Sequence, residues 1–226
     1  MSHPETDSVL LRHHPSGRLD IEMNRPERKN ALTVPMVIQL ADALADARGD
    51  DTVTAVLLHG AGGCFSSGLD LAEVRPGDPE ISSAIAELHT CLAALGKPLI
   101  GALQRAAVNG AAAIALACDL LVVGQTSFLM VGEAEMGVAA PNNLRWLLAK
   151  YDVNQALQLT LGCERHYGPA LLRRNFAYDM VPDDRVLARA TELAEKVAAY
   201  PHGGGIAMKQ AIIALEGIAK ETIEWE

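Results

Sequence analysis

Two short stretches of the chain could present free backbone N–H groups to a ligand. In the first, residues 60–71, glycines let the backbone adopt positive φ angles and approach a bound molecule closely, and Gly68 leaves the N–H of Leu69 free to point into a cleft. In the second, Asn109-Gly110 opens an apolar helix, whose first N–H groups have no partner within the helix and lie at the positive end of its dipole. Two such groups that converge on one oxygen atom would form an oxyanion hole.

The elements around these stretches are predicted to alternate between strand and helix. Alternation of apolar and polar residues predicts a hairpin at 9–12 and 19–23, and Thr33 is expected to be the N-cap of a helix that Gly49 ends. Apolar runs then predict further strands at 53–59, 98–103 and 120–123, and apolar residues at helical spacing predict helices at 81–95 and 110–118. This order is typical of a mostly parallel sheet with crossover helices, an α/β fold.

Beyond residue 142 the pattern predicts helices only, at 144–150, 155–161, from 183 to Pro201, and at 206–219. Asp183 is expected to cap the third of these helices. The last one is apolar around much of its circumference, so it must be covered on more than one side.

Composition limits the classes of partner. The net charge is −9 and no basic run stands out, which argues against nucleic acid or an anionic membrane surface as a partner. The four cysteines show no metal-binding spacing, so we expect free thiols in a reducing compartment and no bound metal. Neither a signal peptide nor an apolar run of eighteen residues is visible, and we therefore expect a cytoplasmic protein.

Four pieces of the chain, in their order and spacing, resemble the enoyl-CoA hydratase/isomerase superfamily, the crotonases. They are residues 24–32 (NRPERKNAL), 65–71 (FSSGLDL), 97–100 (KPLI) and 115–119 (ALACD), and the resemblance runs from about residue 8 to about residue 210. It implies a spiral of ββα turns, which we assign to an acyl-CoA-binding core at 1–182. It also implies that the C-terminal helices, assigned to an oligomerisation segment at 183–226, build a homotrimer or a hexamer.

The resemblance also implies the residues of the site. The N–H groups of Leu69 and Gly110 would bind the thioester carbonyl oxygen of an acyl-CoA, where an enolate develops when a neighbouring proton is removed. Coenzyme A would enter as part of the substrate, with no tightly bound cofactor. The residues expected to contact it are Arg25, Arg28 and Lys29 in the loop over the nucleotide, Ser66, Asp70 and Leu71 beside the adenine, and Lys209 from a neighbouring subunit.

The acids are assigned by a gap-free count from Pro98 through Asp119. Hydratases of the family use two glutamates, whose positions here fall on Ala113 and Glu133, whereas isomerases that move a double bond from the 3 to the 2 position keep only the second. The single acid therefore favours isomerisation over hydration. Glu135 is expected to point the other way on an extended segment.

Two alternatives remain open. One is a hydratase that works with a single acid. The other is an acyl-CoA-binding protein without catalysis, because Asn109 and Ala111 replace two glycines of a family triplet and 138–145 replaces a glycine-rich stretch. In that stretch Asn142 and Asn143 could hydrogen-bond water or substrate but cannot act as bases.

Overall fold

We describe the fold from a computed structural model, in which residues 7–75 and 77–222 are described, with side chains up to residue 215. Residues 1–6 of the predicted acyl-CoA-binding core and residues 223–226 of the predicted oligomerisation segment lie outside the described residues. Within them, nine strands are present: β1 (Val9–His13), β2 (Arg18–Met23), β3 (Ala55–Gly60), β4 (Leu99–Leu103), β5 (Ala106–Val108), β6 (Leu120–Gly124), β7 (Phe128–Met130), β8 (His166–Tyr167) and β9 (Asp179–Val181). The α-helices there are α1 (Val34–Gly49), α2 (Pro79–Ala94), α3 (Gly110–Ala117), α4 (Pro141–Lys150), α5 (Val153–Gly162), α6 (Gly168–Arg173), α7 (Val186–Ala198) and α8 (Gly204–Thr222).

The strands form two sheets that the chain visits in turn. A six-stranded sheet has the order β1-β2-β3-β4-β6-β9, parallel except for the β1–β2 hairpin. A second sheet has the order β5-β7-β8, and parallel bridges from Ser66 to Ala107 and from Leu32 to Leu69 extend it. Each of four successive turns therefore supplies one strand to the first sheet, one strand or bridge to the second, and then a helix. This is the ββα spiral that the family resemblance implied.

The first sheet is covered on both faces. On one face α1 and α2 pack against each other and bury residues such as Leu40, Leu44 and Leu88. On the other face α7 packs its Ala190 and Leu193 on apolar residues of β3, β4 and β6. Each predicted strand and helix is present, with bounds that differ by a few residues. The prediction of helices only beyond residue 142 is wrong, because β8 and β9 also lie in that region, where each pairs with a strand from an earlier turn.

Of three local predictions, the cap at Thr33 is confirmed, whereas the cap at Asp183 and the extended segment around Glu133 are wrong. Thr33 is confirmed as the N-cap of α1, since its side chain accepts the N–H of Met36 at 3.4 Å. Asp183 is not a cap: its carboxylate accepts the backbone N–H and the hydroxyl of Thr126, at 3.0 and 2.8 Å, and a short 3-10 turn precedes α7. The segment around Glu133 is not extended but forms a 3-10 turn, Glu133–Met136.

The C-terminal helix α8 leaves apolar side chains exposed. Met208, Ile212 and Leu215 are 64%, 59% and 66% exposed, as expected of a helix that needs further cover. The role of 183–226 in oligomerisation stays a prediction. Over the described part of the chain, none of the helices combines the length and the apolar character that crossing a membrane requires.

Candidate active site

The side chain of Asn30 joins the N-terminal loop to the glycine-rich turn. It is fully buried, its amide donates to the carbonyl oxygens of Ala61 at 2.9 Å and Cys64 at 2.6 Å, and its Oδ1 accepts the N–H of Arg25 at 2.8 Å. The residue has a φ of +53°, a left-handed conformation that asparagine tolerates better than most side chains. In the sequence, Asn30 is visible only as part of the motif at residues 24–32, and no local pattern indicates this anchoring role.

The backbone around Leu69 is arranged so that one N–H remains free. Leu32 donates its N–H to the carbonyl of Gly68 at 2.8 Å and accepts the N–H of Asp70 at 2.9 Å, so the groups on either side of Leu69 are paired. The N–H of Leu69 has no acceptor in the described part of the chain. Gly68 has a φ of +90°, and a Cβ there would lie 2.7 Å from the carbonyl oxygen of Val108, so only glycine fits.

The second free N–H belongs to Gly110, the first residue of α3. The preceding Asn109 has φ +53° and ψ −114°, a conformation that L-residues rarely adopt. Its carbonyl oxygen accepts from the N–H of Ala113 at 3.2 Å and from the amide of Asn143 at 3.1 Å. Because the N–H of a trans peptide points opposite to its carbonyl, the N–H of Gly110 faces away from α3, and no described residue accepts it.

The two free N–H groups lie at matching positions of neighbouring turns. Ser66 and Ala107 are bridged, and Leu69 and Gly110 each follow their member of that pair by three residues. Neighbouring strands lie about 4.8 Å apart, a spacing at which two donors can reach one oxygen atom. The structure therefore places the two predicted donors on adjacent segments, which approach so closely that a Cβ on Gly68 would lie 2.7 Å from the carbonyl oxygen of Val108.

Glu133 is half-buried at the start of its 3-10 turn. Its Oε1 accepts the amide of Asn143 at 3.0 Å, while its Oε2 is buried without a partner among the described residues. Burial raises the pKa of the Glu133 carboxyl, and hydrogen bonds, among them the one from Asn143, work in the opposite direction. Such a carboxylate is a better proton acceptor than an exposed one. Glu135 is exposed on the same turn, and Ala113 is fully buried in α3.

A cavity of about 400 Å³ brings together most of the residues predicted to contact coenzyme A. Its lining consists of Glu27, Arg28, Lys29, Ala31, Ser67, Leu69, Asp70 and Leu71. Arg25 is not part of the lining but lies 3.2 Å from Asp70, to which Arg28 also donates at 3.1 Å. The hydrogen bond from Arg28 holds the pKa of Asp70 below its usual value. The side chain of Ser66 is fully buried and donates to the carbonyl of Asn30 at 2.7 Å, so it can act on a ligand only by holding the loop.

Lys209 lies outside the lining of this cavity. Its Nζ is 2.7 Å from a carboxylate oxygen of Asp119 and donates to the carbonyl of Lys97 at 2.9 Å. These partners belong to the same chain, so contact with a ligand in a neighbouring subunit would require Lys209 to exchange them.

The four cysteines are free thiols. Among the described residues, no cluster of three or more His, Cys, Asp or Glu side chains is placed to hold a metal ion.

Comparison with known proteins gives one consistent family. The model of the family described as enoyl-CoA hydratase/isomerase matches residues 14–219. The chain is 30% identical over 231 residues to the 1,2-epoxyphenylacetyl-CoA isomerase of Escherichia coli strain K12, covering 94% of this chain and 85% of the relative. It is 28% identical over 211 residues to the Arabidopsis thaliana protein named "Probable enoyl-CoA hydratase 1, peroxisomal", covering 90% of this chain and 78% of the relative.

Solved structures are similar over the same extent. An enoyl-CoA hydratase from Mycobacterium avium subsp. paratuberculosis K-10 superposes with a TM-score of 0.84 at 28% identity, covering 94% of this chain and 87% of that one. A monofunctional enoyl CoA isomerase from M. smegmatis superposes with a TM-score of 0.77 at 27% identity, covering 92% and 93%.

Proposed function

Because this chain belongs to the enoyl-CoA hydratase/isomerase family, we propose that it binds an acyl-CoA thioester and moves the double bond of a 3-enoyl-CoA to the 2 position. The N–H groups of Leu69 and Gly110 bind the thioester oxygen. Glu133 carries the proton.

The chemistry requires a stabilised enolate and one base. Removal of a proton from the alpha carbon places negative charge on the thioester oxygen, where each well-placed N–H donor is worth about 2.7–4 kcal/mol. The base then returns the same proton to the gamma carbon, and the double bond moves from the 3 to the 2 position. Nothing else is added or released, so a single carboxylate that is deprotonated at the start completes the cycle.

The observation that carries the proposal is the half-buried carboxylate of Glu133, which is linked to the Gly110 side of the oxyanion site. Glu133 and the Asn109–Gly110 peptide share a hydrogen-bond partner, Asn143, which keeps the acid and the donor close together. The position that would hold a second acid is the fully buried methyl group of Ala113. A carboxylate with one oxygen free and a pKa raised by burial fits a base that must accept a carbon-bound proton.

Hydration is the second candidate. Two similar proteins, from Arabidopsis thaliana and Mycobacterium avium, bear the names of hydratases, which favours it. The methyl group of Ala113 argues against it, because water addition needs a group that activates water and a second proton donor. The name of the M. smegmatis structure, an enoyl CoA isomerase, agrees with the first candidate.

The test is a panel of acyl-CoA thioesters assayed for binding, double-bond migration and hydration. We expect migration of a 3-enoyl-CoA in the wild type, its loss in Glu133→Gln, and coenzyme A binding that changes little in this variant. The matched control is Glu135→Gln, which removes an exposed carboxylate from the same turn and should turn over normally. Binding of every thioester without turnover would instead favour the non-catalytic alternative, and unchanged turnover in Glu133→Gln would remove Glu133 from the mechanism.

We also propose that the protein is a homotrimer or a hexamer and works in the cytoplasm. The exposed apolar side chains of α8, Met208, Ile212 and Leu215, support association, since a single copy leaves them in water. In an assembly, Lys209 could exchange its intrachain partners for a phosphate of coenzyme A bound to a neighbouring subunit.

A further inference from the structure

The side chain of Asn143 touches both halves of the candidate site. It lies in the first turn of α4, is 1% exposed, and uses both hydrogens of its amide. One is donated to the carbonyl oxygen of Asn109 at 3.1 Å and the other to Oε1 of Glu133 at 3.0 Å. No other described side chain bonds to both.

The orientation of this amide follows from its partners. Both neighbours of Nδ2 are oxygen atoms that can only accept, a carbonyl and a carboxylate. A flipped amide would place Oδ1 against these two acceptors and lose both hydrogen bonds. Only the donating orientation is compatible with the arrangement.

We propose that Asn143 is a positioning residue that fixes the oxyanion donor of Gly110 and the carboxylate of Glu133 relative to each other. The inference rests on the proposed function and goes beyond it, because it assigns a role to a residue that does not react. It also explains how a chain without the family's glycines at 109 and 111 can keep the Gly110 N–H in place.

The first contact acts on the oxyanion site. Asn109 is held in a strained conformation, and such a conformation persists only where several interactions hold it. Its Oδ1 accepts the N–H of Gly132 at 2.9 Å, and its carbonyl accepts from Ala113 and Asn143. If the Asn143 bond is lost, the carbonyl of the Asn109–Gly110 peptide keeps only the bond from Ala113, and the peptide can tilt so that the Gly110 N–H points less directly at the substrate oxygen.

The second contact acts on the base. Among the described residues, the influences on Glu133 are burial and hydrogen bonds, with no charged side chain among them. Donation from Asn143 fixes one carboxylate oxygen and leaves the other free to take the proton. It also lowers the pKa of Glu133, so its removal should raise that pKa and demand a higher pH for the active, deprotonated form.

The test compares Asn143→Ala and the nearly isosteric Asn143→Asp with Asn142→Ala. Asn142 is the neighbour in the same helical turn, is half-buried, and makes no side-chain hydrogen bond within the described residues. Asn143→Asp keeps the shape but puts a second carboxylate against Glu133, which raises the pKa of the pair. In both Asn143 variants we expect kcat to fall at least about tenfold, KM to stay within about threefold, and the acidic limb of the kcat profile to move to higher pH. In Asn142→Ala, kcat and KM should stay within about twofold of the wild-type values, and the acidic limb of the kcat profile should not move.

Two measurements need no turnover. The ¹³C NMR signal of the Glu133 carboxyl, assigned by its absence in Glu133→Gln, should titrate at higher pH in Asn143→Ala than in the wild type. Acetoacetyl-CoA, whose enolate absorbs in the near ultraviolet, should bind the Asn143 variants with less of the enolate form.

These measurements separate the two proposals. If the wild type turns over no thioester, the proposed function fails, while the carboxyl titration still decides the role of Asn143. An unmoved titration of Glu133 in a folded Asn143→Ala, or an Asn143→Asp with the kcat and pH profile of the wild type, would overturn the inference.

Discussion

Replacement of Gly68 by alanine should both destabilise the fold and displace an N–H donor of the proposed oxyanion site. At a φ of +90° alanine is strained by about 1–2 kcal/mol. Its Cβ would lie 2.7 Å from the carbonyl oxygen of Val108, and ordinary contact begins at 3.4 Å, so one of the two segments must move by about 0.7 Å. Overpacking of this kind costs about 1–3 kcal/mol, which gives a total loss of about 2–5 kcal/mol in the free energy of unfolding.

The displacement should act directly on turnover because Leu69, the next residue, is one of the two proposed N–H donors. A misplacement of about 1 Å can reduce a rate about 100-fold, similar to the loss of one donor from an oxyanion hole. We therefore expect turnover in Gly68→Ala to fall by about 100-fold, with coenzyme A binding less affected.

The matched control is Gly63→Ala in the same glycine-rich turn. Gly63 also has a positive φ, +71°, but a Cβ there meets nothing within 4 Å. This variant carries the backbone strain without the close approach, so it should lose about 1 kcal/mol and keep its turnover. Urea unfolding and steady-state assays of both variants provide the comparison. If Gly68→Ala is as stable and as active as Gly63→Ala, the reasoning about the Val108 contact is refuted.

Three further predictions concern other parts of the molecule. Ala113→Glu should hydrate a short 2-enoyl-CoA faster than Ala113→Gln, at a loss of a few kcal/mol for the buried carboxyl, and equal rates in folded variants would cast doubt on the gap-free alignment. Buried His89 accepts the indole N–H of Trp146 at 2.9 Å, and burial lowers its pKa from 6.5 to about 4. As the pH drops from 6.5 to about 4, the unfolded chain takes up the proton before the folded one, so the free energy of unfolding in urea should fall by about 3 kcal/mol. His89→Gln should lose less over the same range, and an equal pH dependence of the two proteins would contradict this. Light scattering should give a trimer or hexamer that Ile212→Glu weakens, and a monomer at micromolar concentration would contradict it.

The sequence predicted the long elements of the fold because each carries a run of apolar residues long enough to show its period. β3 and β4 are fully buried, and α1 shows both its apolar face and its cap. The shorter strands β5, β7, β8 and β9 were not predicted. They have two or three residues each, too few to display alternation. Pairing with neighbouring strands defines them, in the second sheet for β5, β7 and β8 and in the first sheet for β9.

The candidate site was predicted only as far as the resemblance reached. The motifs located Leu69, Gly110 and Glu133, but the partner that joins the last two, Asn143, lies in a stretch where the chain departs from the family pattern. The intrachain partner of Lys209 and the true partner of Asp183 depend on contacts 90 and 57 residues away along the chain. Local pattern carries no information about such contacts.

The spiral repeats one backbone position in three successive turns, and at each of them an N–H group could bind a ligand. The side chain of Asn109 occupies one of these three N–H groups. Ser66, Ala107 and Leu129 are aligned across the second sheet, and the residues three positions later are Leu69, Gly110 and Gly132. The first two amides are free, whereas the N–H of Gly132 is used by Oδ1 of Asn109 at 2.9 Å. Three donors in this row would suit an anion with several oxygen atoms, whereas two donors suit a single oxygen atom, such as that of a thioester carbonyl. Asn109, which bears the backbone strain, thus also limits the number of free N–H donors in this row to two.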